Sequence, residues 1–235
     1  MPLHGRHRHV RPHLDSAVAL LFAAGSTLFM LGGILSLVPA LAAQLALSPA
    51  GVNAVYFAGS VPFTTAAGLQ LAQAASAQAA QREANGGWKV PWLGWYPGDI
   101  GWLGCALQFA GTVLFNLNTF DAMLPDTDRL QQDLAVWAPD MIGSGLFLSS
   151  GFLAFIDCSR GHGPWQPRQL SWWVVVVNLL GCLAFMLSAV LSYVPTAGAV
   201  SSWVAVATGF TTAGAAAFLL GSLLMLPAPA AANPL

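Results

Sequence analysis

Two side-chain amides, Gln108 and Asn178, stand inside stretches that are otherwise apolar, each three residues before a glycine and seven before a phenylalanine. An amide in apolar surroundings needs a partner, so these two either bond one another or a backbone group across a helix contact, or they line a small polar cavity. A second polar group, Asn116, Asn118, Thr119 and Asp121, closes the same stretch as Gln108 and is placed for a meeting with Asp140 at the start of the next one. It reads as helix capping and headgroup contact, with an external binding site as the alternative. Gln108, Asn178, Asn116, Asn118 and Asp140 are therefore the candidate ligand or helix-contact residues. Asp99 and Asp140 fall near expected helix starts, where unpaired N–H groups stabilise a carboxylate.

No nucleotide-binding, nucleophile-elbow, metalloprotease or paired-cysteine pattern occurs, so no catalytic residue, cofactor or metal is expected. The histidines His4, His7, His9 and His13 form a tract before the first apolar stretch, a compositional hint of metal binding and no more. Cys105, Cys158 and Cys182 are too few and too scattered for a disulfide framework.

The elements that hold these residues follow from composition. Of 235 residues, 56% are hydrophobic and 7% charged, and the mean hydropathy is +0.65. A soluble domain carries roughly 25% charged residues, so this chain cannot cover itself in water. Six apolar runs of about 20 residues are each long enough to cross a hydrocarbon layer of about 30 Å. The spacing predicts helices over 16–38, 51–74, 99–118, 135–156, 170–194 and 203–226, within a membrane domain at 16–227. A basic, His-rich segment (1–15) precedes that domain and a short tail (228–235) follows it.

Each run carries a glycine followed four residues later by a phenylalanine: Gly25/Phe29, Gly59/Phe63, Gly111/Phe115, Gly143/Phe147, Gly181/Phe185 and Gly214/Phe218. One helical turn separates the members of a pair, so each glycine leaves a notch beside its phenylalanine where another helix can approach. These are the expected packing residues. Trp102, Gln108, Gly111 and Phe115 match Trp172, Asn178, Gly181 and Phe185 at identical spacing. The expected fold is thus an all-α integral membrane bundle of six helices built as three hairpins, the last two a parallel duplication.

Several local features refine that picture. Asp15 or Ser16 is expected to cap the first helix and Pro39 to end it; Pro62 falls inside the second, where a kink is expected. A cleaved signal peptide is the rival reading of the first run, which is too long for one. The segment from Trp88 to Pro97 is rich in Trp and Tyr and reads as an interfacial anchor in the headgroup layer. Arg6, Arg8, Arg11, Arg82, Lys89, Arg160 and Arg168 fall on one side of the expected spans, and Arg129 alone on the other, with Asp121, Asp126, Asp128, Asp133 and Asp140. By the positive-inside rule both termini are cytoplasmic.

Three stretches, Gln108 to Asn116, Pro139 to Phe147 and Trp172 to Gly181, resemble a family of uncharacterised bacterial membrane proteins with YrhK-like repeats. The similarity spans roughly residues 95 to 227. The resemblance implies a multi-pass protein of a bacterial inner membrane and supplies no reaction or substrate. The favoured function is a non-catalytic membrane component, acting as scaffold, partner subunit or envelope factor, with a small-molecule channel or transporter as the alternative. Expected partners are the lipid bilayer and a second copy or another membrane protein, with no nucleic acid.

Overall fold

A computed structural model describes residues 12–84, 94–124, 130, 132–160, 163–193 and 201–226. The described residues are helical with short connections: α1 (Pro12–Leu37), α2 (Pro39–Gln44), α3 (Pro49–Ala84), α4 (Ile100–Asp121), α5 (Ala138–Ser159), α6 (Leu170–Ser192) and α7 (Ser201–Leu224). A π-helical turn, Gln132–Trp137, leads directly into α5. Five of these helices, α1, α4, α5 with its π turn, α6 and α7, are long and apolar enough to cross a membrane. The chain is a multi-pass, all-helical membrane protein.

The observed bounds correct several expectations. The first helix begins at Pro12, so Asp15 lies in its first turn and is not the cap; its carboxylate accepts a hydrogen bond from Gln73 Nε2 at 2.7 Å. Proline is suited to that first turn because its missing N–H would have no helical partner there. The expected 51–74 helix is the 36-residue α3, which runs ten residues beyond the expected end. Ala, Gln, Arg and Glu, which make up most of that extension, are good helix formers, and Ala75 is buried against Tyr96 and Trp102. The helix runs unbroken through Pro62. Pro39 ends α1 but also opens the short α2, inside a segment expected to be a plain connection.

The longer helices pack in a closed circuit. Each lies along its neighbour in sequence, α1 on α3, α3 on α4, α4 on α5, α5 on α6 and α6 on α7, and α7 returns to pack along α1. Their outer faces present large apolar side chains such as Leu20, Leu117, Phe152, Leu180 and Val204. Lipid is the solvent those faces suit. The core sits on the axis of the circuit, and six of its rings come from the Gly/Phe pairs.

Candidate functional site

Phe29, Phe63, Phe115, Phe147, Phe185 and Phe218 meet at the centre, one from each long helix, and all six are buried. Their contacts are mutual: Phe115 lies 5.1 Å from Phe147 and 5.6 Å from Phe185, Phe63 lies 5.6 Å from Phe218, and Phe29 lies 6.0 Å from Phe185. Most of these pairs are edge to face, the arrangement in which the positive rim of one ring meets the negative face of the next. Each such pair adds about 0.5–1.5 kcal/mol beyond the area it buries.

The glycines explain how six rings reach one centre. A Cβ at Gly25 would come within 2.8 Å of both Gly59 O and the Phe63 ring, and a Cβ at Gly59 within 2.9 Å of Gly25 O and Phe29. Gly111 and Gly143 stand in the same reciprocal relation with Phe147 and Phe115, and Gly181 and Gly214 with Phe218 and Phe185. Within each helix pair the two backbones cross at the glycines, and each phenylalanine fills the notch beside the other helix's glycine.

The residue after each glycine forms a further layer that glycine and phenylalanine spacing alone did not single out. These residues are Ser26, Ser60, Thr112, Ser144, Cys182 and Ala215, all buried and all small. The signal was present in the sequence as Gly-small-x-x-Phe. A central cavity of about 20 Å³ is lined by the six phenylalanines together with Ser26, Ser60, Thr112 and Ala215.

Hydroxyl and amide groups continue along the α3/α4 contact. Thr119 Oγ1 donates to Phe115 O at 2.7 Å and lies 3.3 Å from Ser60 Oγ, Asn116 Nδ2 donates to Thr64 Oγ1 at 2.9 Å, and Thr64 Oγ1 donates to Thr112 O at 3.2 Å. Asn118 Nδ2 donates to Val136 O at 2.6 Å, which ties the end of α4 to the π turn before α5. The expected meeting of Asn116 and Asn118 with Asp140 does not occur as a hydrogen bond among the described residues, because α3 and the π turn take both amides first.

Gln108 and Asn178 do not bond one another. Asn178 Nδ2 donates back to Val174 O of its own helix at 2.8 Å, and its amide lies where a side chain on Gly221 would stand. The two amides sit on helices separated by α5 in the circuit. Matching places in the sequence do not bring the two together, because their helices are not neighbours.

The N-terminal ends of α4 and α6 are built alike. Trp95 stacks edge to face on Trp102 at 5.4 Å, and Trp165 on Trp172 at 5.1 Å. Each of these segments follows a left-handed glycine, Gly94 at φ +39° and Gly163 at φ +82°, which a residue with a Cβ adopts only under strain. Arg82 from the end of α3 lies over the Tyr96 ring at 4.5 Å. The segment 85–93, the histidines at 4, 7 and 9, and the tail from 227 onward lie outside the described residues. Among the described residues no group of three metal-ligating side chains converges.

Comparison with protein-family models, curated proteins and solved structures returns no match.

Proposed function

We propose that the chain is a six-span protein of three helical hairpins, packed shut at its centre, that serves as a non-catalytic membrane component: a scaffold, a partner subunit or an envelope factor. The observation that carries this reading is the convergence of six phenylalanines around a cavity of only about 20 Å³. A conduit for solutes needs a continuous polar route, and here the axis is filled by aromatic rings.

The sixth span is α3. Its polar residues weaken its apolar signal, yet Asn53 near its start bonds Ala122 O at the end of α4, and Gln73 bonds Asp15 at the start of α1. Those two residues are about 30 Å apart along a helix at 1.5 Å per residue, the thickness of a hydrocarbon core. On this reading α1/α3, α4/α5 and α6/α7 are the hairpins. Arg82, Arg160 and Arg168 then share one end, while Asp121, Asp133 and Asp140 share the other, and both termini are cytoplasmic. The resemblance to the family with YrhK-like repeats supports a bacterial inner membrane as the location.

The test is reconstitution into liposomes with a panel of ions and small neutral solutes, beside cross-linking in native membranes. The expected result is flux no greater than in protein-free liposomes, with a cross-linked homo-oligomer or membrane partner at fixed stoichiometry. Flux above the protein-free level that Gln108→Leu abolishes in a folded protein overturns the reading and favours a channel or transporter.

A further inference from the structure

The segment 163–169, just ahead of α6, is pinned on several sides. Gln166 is buried beneath it and donates to Gly163 O at 2.7 Å and Cys158 O at 3.2 Å. Two indoles of α6 hold it from the other end, Trp172 Nε1 donating to Pro164 O and Trp173 Nε1 to Pro167 O, both at 2.9 Å. What this scaffold presents outward is an indole and a cation. Trp165 stacks on Trp172 yet is 74% exposed, and Arg168, three residues on, is exposed and makes no hydrogen bond or ion pair among the described residues.

We propose that Trp165 and Arg168 form a binding site for the headgroup of an anionic phospholipid. Position supports a lipid as the occupant: α6, long and apolar enough to cross a membrane, begins at Leu170, so both residues stand where the span leaves the hydrocarbon. An indole suits that boundary layer, and a guanidinium fork matches the oxygens of a phosphate. Because the backbone between them is already fixed, little conformational freedom is lost on binding. The other tryptophan turn supplies a contrast within the same chain. Trp95 is 75% exposed and stacked on Trp102 in the same way, but Gly98 and Asp99 stand where the second segment has Arg168 and Gln169. The cation near that turn, Arg82, lies over the Tyr96 ring. The first turn therefore offers an anchor for any lipid, and the second adds a free positive charge that selects a negative one. This inference needs α6 to be a span and does not depend on whether the protein is a scaffold or a transporter.

The experiment is native mass spectrometry of the full chain released from nanodiscs that hold phosphatidylglycerol and phosphatidylcholine in equal amounts. The wild type is expected to retain phosphatidylglycerol in preference. Arg168→Gly, which installs the residue found at the matching place in the first turn, should weaken that retention about tenfold, the order expected for a lost charge-assisted hydrogen bond. Arg168→Gln should show the same loss, while Arg82→Gln leaves retention unchanged. Equal retention of the two lipids by the wild type overturns the proposal. So does a loss in Arg82→Gln as large as in Arg168→Gly, since that would make the preference a property of diffuse surface charge, and so does a loss confined to the glycine variant, which would trace it to a loosened turn.

Discussion

The segments 95–121 and 165–192 have the same skeleton, yet they satisfy their polar groups in different ways. Both present a tryptophan pair stacked edge to face, a proline two residues after the first tryptophan, a buried second tryptophan and a central Gly/Phe pair. In the first, Asp99 caps α4 by accepting from Trp102 N at 2.8 Å; in the second, Gln169 stands at the cap and makes no side-chain cap bond. Tyr96 and Gln166 occupy matching buried places. Gln166 donates to Gly163 O at 2.7 Å and Cys158 O at 3.2 Å, whereas Tyr96 Oη has no partner among the described residues and its ring lies under Arg82. The difference teaches that shape at the Gly, Phe and Trp positions fixes how such a unit packs. Polar contacts are then made locally with whatever each segment offers.

The central glycines should give the largest contrast. A Cβ at Gly111 would lie 2.7 Å from the Phe147 ring, which is hemmed in by Phe63, Phe115 and Phe218, whereas a Cβ at Gly181 would meet Gly214 O and Phe218 at 3.2 Å. Overpacking a tight core costs about 1–3 kcal/mol, while replacing glycine by alanine within a helix returns about 1 kcal/mol. Gly111→Ala is therefore expected to destabilise by up to about 2 kcal/mol and Gly181→Ala to be near neutral. Equilibrium unfolding in mixed micelles titrated with a denaturing detergent measures both. Equal losses would break the comparison, since they would make the notches equally tight.

A smaller effect is expected at the caps. Asp99→Ala removes a side-chain acceptor from the first turn of α4 and should cost about 1 kcal/mol, whereas Gln169→Ala should cost almost nothing as a cap. Amide exchange in nanodiscs at Trp102 and Trp172 reads this directly, with faster exchange confined to the first.

The smallest change is expected at Tyr96. Removal of a buried hydroxyl that has no partner leaves no group unsatisfied, so Tyr96→Phe should hold or slightly raise the unfolding temperature. Gln166→Leu leaves two carbonyls without their donor and should lower it. A marked loss in Tyr96→Phe would show that its hydroxyl is bonded in the membrane.

Much of the skeleton was legible because glycine and phenylalanine one turn apart state a packing preference that lipid does not mask. Trp102 and Trp172 were likewise visible as a repeated pair. The sequence also carries a further match, Trp95 and Pro97 with Trp165 and Pro167, which the aromatic richness of the segment around Trp95 masks. Polar partnerships were not legible. Gln108 and Asn178 share a register in sequence, but α5 lies between their helices, and Asn116 turns to Thr64 on α3.

The sequence by itself determined that this chain is helical and enters lipid, because hydrophobicity, run length and the scarcity of charge act residue by residue and need no partner. It also set which faces carry small residues. Only the tertiary structure decided that six phenylalanines share one centre, that α7 closes onto α1, and that the buried Ser26 hydroxyl is left without a partner among the described residues. Those outcomes depend on the order and distance at which separate helices meet, and in an interior packed this closely a shift of less than an ångström changes which atom is a neighbour.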